Sequence, residues 1–89
     1  MNDHQQRVLK RLVESLKIGP WNEVKLQGVQ ADLEANLSVL EKSQIKRRVE
    51  AAVSHLDECI HLMDEAEGID AGRRLCESLV HDIEAIISV

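Results

Sequence analysis

An apolar repeat between residues 43 and 66 constrains this chain more than any other feature. Ile45, Val49, Ala52, Leu56, Cys59, Met63 and Ala66 recur at alternating steps of four and three. Such a repeat keeps one apolar seam on one side of an α-helix for about six turns. Val53, Ile60 and Leu62 widen the seam beyond a coiled-coil stripe, so the helix is expected at the centre of a bundle, with two or more neighbours. Ser43 is the expected N-cap.

Three more helices surround it in the sequence. Asp3 and Gln6 have capping-box spacing ahead of a stripe formed by Val8, Leu9, Leu12, Val13 and Leu16. Gly19-Pro20 ends that helix, because Gly fits a C′ position and Pro cannot continue. A second stripe, Leu26, Val29, Leu33, Leu37 and Leu40, lies within a narrow arc of the next helix. Gly68-Ile69-Asp70 reads as the last joint, with Gly68 as C′ residue and Asp70 as the following N-cap. Leu75, Cys76, Leu79, Val80, Ile83, Ile86 and Ile87 supply the last apolar face, and Ile86-Ile87-Ser88-Val89 are expected to close the core. The expectation is an all-α fold. It is a small antiparallel bundle of three to four helices over approximately 4–18, 22–41, 43–67 and 70–87, in a single helical domain 1–89.

Composition limits what such a bundle can do. With one Trp and no Phe or Tyr, the core must be aliphatic, and few side chains remain to stack on a base or a flat cofactor. A chain of 89 residues buries a modest core, a shortfall often met by oligomerisation. No apolar run approaches a membrane span. The first residues, Met-Asn-Asp-His-Gln-Gln-Arg, lack a secretory h-region. A cytoplasmic protein with reduced thiols is expected.

The net charge of −5 is unevenly placed: residues 1–48 carry nine Lys/Arg against six Asp/Glu, and residues 49–89 carry two Arg against ten acids. A general nucleic-acid binder is disfavoured, because neutralising phosphates needs clustered cations. The basic group Lys42, Lys46, Arg47 and Arg48 is the exception to test at low salt. In the helix read over 43–67, Lys46, Arg47 and Arg48 crowd the N-terminal end, and Asp64, Glu65 and Glu67 the C-terminal end. Both placements oppose the macrodipole, so these residues are candidate partner contacts. Arg73 and Arg74 are expected to approach Asp64 and Glu65 across the turn.

The second helix has a second usable face. Val24, Gly28, Ala31 and Ala35 follow each other at steps of four, three and four, opposite the leucine stripe. Such a row lets another backbone approach, and it suggests homodimerisation near this helix. Gly28 costs helix stability, so it is either a packing site or an exposed weakness. Trp21, in the joint after Pro20, either covers the bundle end or anchors a partner.

His55, Cys59 and Cys76 are the metal-ligand candidates. In a hairpin turning at residues 67–68 the two cysteines would lie level. They would then be buried thiols, a disulfide or ligands. Paired Cys-x-x-Cys spacing is absent. Glu58 and His61 have the Glu-x-x-His spacing of di-iron bundles once only. No phosphate loop, nucleophile elbow or His-Glu-x-x-His pattern occurs, so no catalytic residue and no cofactor is assigned. The expected function is a non-enzymatic helical protein–protein interaction module of regulator, adaptor or chaperone type, self-associating and binding a protein partner. The alternative is a metal- or redox-dependent bundle built on Cys59 and Cys76 with His55.

Overall fold

The computed structural model describes residues 3–40 and 44–87. Four α-helices form: α1 (Asp3–Lys17), α2 (Glu23–Asn36), α3 (Gln44–His61) and α4 (Glu65–Ile87). A 3₁₀ turn over Leu37–Val39 follows α2. The expected all-α bundle is therefore present, with four helices. Its core is the aliphatic set read from the stripes. Leu9, Leu16, Leu26, Leu33, Leu56 and Ile83 are all fully buried, and each burial contributes about 1.5–3 kcal/mol.

Side-chain contacts fix the order and direction of the helices. Arg11 donates to Asn36 Oδ1 at 3.1 Å, and Ser15 donates to Asp32 at 3.2 Å, so α1 and α2 run antiparallel. Gln30 Nε2 donates to the Val53 carbonyl at 3.4 Å, while Leu26 shares a cavity wall with Cys59 and Ile60. That makes α2 and α3 antiparallel. Arg48 pairs with Asp82 at one end of the α3–α4 hairpin, and Gly68 abuts Cys59 at the other. Lys17 pairs with Glu84 at 3.1 Å and closes the ring between α1 and α4.

The helices differ in length, and the difference shapes one end. At 1.5 Å per residue α4 spans about 34 Å and α1 about 22 Å. Lys17, the last residue of α1, pairs with Glu84, so the N-terminal half of α4 runs past the end of α1. α2 occupies that corner instead. Gly72 makes this possible: a β-carbon there would meet Leu26 Cδ2 at 2.5 Å. Trp21, half-buried in the α1–α2 joint, lines a groove with Leu16 and Val80 over the same gap.

The expected start of the last helix is corrected. α3 stops at His61, and α4 begins at Glu65 rather than at residue 70. Asp64 is the cap: its Oδ1 accepts from Glu67 N at 2.9 Å, and its carbonyl accepts from Gly68 N at 2.8 Å. Gly68 is consequently inside a helix, where its lack of a side chain admits the Cys59 carbonyl. Asp70 is not a cap; it pairs with Arg73 and Arg74, each at 3.1 Å. Those two arginines therefore stay on their own helix instead of crossing to Asp64 and Glu65. Of the seam, Ile45, Val49, Ala52, Leu56 and Cys59 are buried as expected, whereas Met63 is half-buried in the joint and Ala66 is exposed in α4.

The second helix is shorter than the expected 22–41. Asn22 caps it, accepting from Lys25 N at 2.8 Å, and the chain tightens into the 3₁₀ turn from Leu37. Lys42 and the expected cap Ser43 lie outside the described residues, as do Ser88 and Val89. Ile86 and Ile87 pack against the core edge.

Candidate functional site

α2 is covered on one side only. Leu26, Val29 and Leu33 are buried, while Val24, Gly28, Ala31 and Ala35 are all exposed on the opposite side. Val24 keeps 75% of its surface, and no atom comes within 4 Å of where a Gly28 side chain would begin. Of the two readings of Gly28, the structure of the single chain selects the exposed position. The four residues the sequence singled out for self-association thus form one continuous, charge-free face. Ile18 and Leu62, each more than half exposed, lie in the joints at the same end of the bundle as Val24.

Trp21 is held differently. Lys25 Nζ lies 5.8 Å from the centre of its ring and donates to the Ser15 carbonyl at 2.5 Å. Ser15 is in the last turn of α1, whose carbonyls have no partners within the helix. Lys25 therefore caps α1 from the neighbouring helix while covering Trp21. No local pattern marks Lys25 for this role, because its partners are ten and four residues earlier and meet it only after the chain turns.

The acidic and basic clusters separate to opposite ends. Asp64, Glu65 and Glu67 begin α4, where the macrodipole favours them. The apparent reversal of polarity disappears at the acidic end with the corrected helix boundary, whereas the basic start of α3 still opposes its macrodipole. Glu65 also shares a cavity of about 120 Å³ with Glu23, Leu26, Cys59 and Met63. At the other end α3 opens with Lys46, Arg47 and Arg48 and has no acid in its first turn. Arg48 is answered by Asp82 of α4; Arg47 is exposed.

The cysteine geometry differs from the level pair expected. Cys59 lies opposite Gly68, two helical turns before Cys76 along α4. Both are buried and free. Burial pushes the Cys76 thiol up to about 11 although Lys25 pulls it down, and burial followed by the Glu58 charge raises Cys59. His55 is exposed on α3 while Cys59 is buried. Among the described residues, no three His, Cys, Asp or Glu side chains gather closely enough to hold a metal ion. His61 faces Asp57 at 3.5 Å on the surface of α3, with both side chains mostly exposed. No helix among the described residues is long and apolar enough to cross a membrane.

No protein-family model, no curated protein and no solved structure matches this chain.

Proposed function

We propose that this chain is a small, non-enzymatic protein–protein interaction module that self-associates through the outer face of α2. The observation that carries the reading is that face: Val24, Gly28, Ala31 and Ala35 are apolar or side-chain-free, exposed and contiguous. A surface helix normally turns charge to water; on α2 the exposed Glu23, Asp32 and Glu34 stand at the flanks, and the centre of the outer face is left to small apolar residues. The Trp21 joint and the charged ends of the bundle would then serve a protein partner, in the manner of a regulator, adaptor or chaperone. Two buried free thiols fit a reducing cytoplasm.

Light scattering tests the reading. The protein is expected at twice its 10.0 kDa protomer mass, and Gly28→Leu is expected to reduce it to the protomer. Open space around Gly28 in the single chain means that the variant should keep its helical circular dichroism. A protomer mass for the wild-type protein at every concentration would overturn self-association.

A further inference from the structure

We infer that the self-associated form is an antiparallel, two-fold pair, with the α2 helix of a second copy of this chain lying along Val24, Gly28, Ala31 and Ala35. This rests on the self-association reading and adds the direction of the pairing. A two-fold contact needs a patch complementary to itself. The steps of four, three and four read the same in both directions. Turned end for end about a point between Gly28 and Ala31, the row places Val24 against Ala35 of the second copy. Gly28 then meets its Ala31. The largest side chain of the row faces a small one at both ends of the contact, and the glycine sits near the centre, where backbones approach closest. In a parallel pair Val24 would meet Val24 and hold the helices apart at one end.

Charge gives a second and independent argument. Beside the start of α2, Glu23 shares a cavity wall with Glu65, and Asp64 and Glu67 stand next to Glu65. Beyond the other end of α2, α3 opens with Lys46, Arg47 and Arg48, of which Arg48 is already paired with Asp82 of α4 and Arg47 is exposed. A parallel pair would bring acidic end to acidic end and basic end to basic end. An antiparallel pair lays each acidic end beside the basic end of the other copy. Along the flanks the two arrangements balance, judged from positions around the helix. Antiparallel pairing brings Lys25 towards Asp32 of the second copy but Glu23 towards its Glu34. Parallel pairing brings Glu23 towards Lys25 but Glu34 towards Asp32. The ends therefore decide the direction, through attraction that weakens as salt rises.

Cysteine cross-linking reads the direction. Val24→Cys and Ala35→Cys replace exposed residues, and the native thiols at Cys59 and Cys76 keep only 3% and 1% of their surface. The two variants are mixed, oxidised gently and run on a non-reducing gel beside each variant alone. Antiparallel pairing gives a cross-linked dimer in the mixture and little in either single sample. A cross-link in Val24→Cys alone means parallel pairing and overturns the inference. No cross-link in any sample, with a dimer mass in light scattering, also overturns it and moves the interface off α2 while self-association stands. A protomer mass throughout removes both.

Discussion

A β-carbon placed on residue 68 would lie 2.1 Å from the carbonyl oxygen of Cys59. The backbones of α3 and α4 thus touch just beyond their joint, and only glycine fits. Gly68→Ala must push the two helices apart, because backbone cannot rotate out of the way as a side chain can. The expected cost is about 2–3 kcal/mol, or roughly 10–20 °C in melting temperature for a domain of this size.

The three helical glycines should rank by what surrounds them. At Gly72 the added methyl meets the end of the Leu26 side chain at 2.5 Å, which can adjust. That cost should be about 1 kcal/mol, near the lower end of overpacking. At Gly28 nothing lies within 4 Å, and Gly28→Ala should gain about 0.5–1 kcal/mol in the monomer through helix propensity. Urea melts at low protein concentration give the order. Equal effects at Gly28 and Gly68 would contradict the helix packing.

Asp64 and Asp70 separate the observed start of α4 from the start expected on local chemistry. Asp64→Ala removes the cap of Glu67 N and should cost about 1 kcal/mol. Asp70→Ala loses only exposed pairs with Arg73 and Arg74 and should change stability by no more than about 0.5 kcal/mol. Thermal unfolding of both variants is sufficient. A larger effect at Asp70 would return the helix start to residue 70.

That error shows what was legible and what was not. The buried faces of the four helices could be read from Leu, Ile and Val at helical spacing, except at the α3–α4 joint, where Leu62 and Ala66 of the expected third face are exposed. The opposite face of α2 was equally plain in Val24, Gly28, Ala31 and Ala35. The α3–α4 boundary was not. Gly68 followed by Asp70 is a strong local stop-and-start signal, yet Gly68 answers to Cys59, nine residues earlier, and Gly72 to Leu26 on another helix. A glycine required for close approach looks, in sequence, like a glycine required for a turn. The acidic cluster then changed meaning with the boundary: unfavourable at the end of one helix, favourable at the start of the next.

Lys25 makes two contacts that an exposed lysine would lack, one to the Ser15 carbonyl and one over the Trp21 ring. Lys25→Met keeps most of the apolar stem and deletes the charge. The loss should be about 1–2 kcal/mol, combining a helix C-terminal cation with a partly shielded cation–π contact. Trp21 fluorescence should shift in the folded variant as its ring loses the ammonium. An unchanged emission spectrum would mean that the ammonium does not rest over Trp21 in solution.

Cys76 should make the protein sensitive to alkali. Its thiol is raised from an ordinary 9.0 to about 11, chiefly by burial, so the folded chain holds that proton after the unfolded chain has released it. Stability from this group is fully present below pH 9, falls as pH rises from about 9 to about 11, and is then lost. The total amounts to about 2–3 kcal/mol. Cys76→Ala loses some packing at neutral pH but has no such slope. The difference in unfolding free energy between the two proteins should therefore shrink above pH 9, and the subtraction removes the titration of Cys59 and the lysines. Lys25 opposes the rise at Cys76, so in Lys25→Met the decline should begin at the same pH and extend higher. A constant difference between wild type and Cys76→Ala from pH 8 to 11 would place this thiol in water rather than in the core.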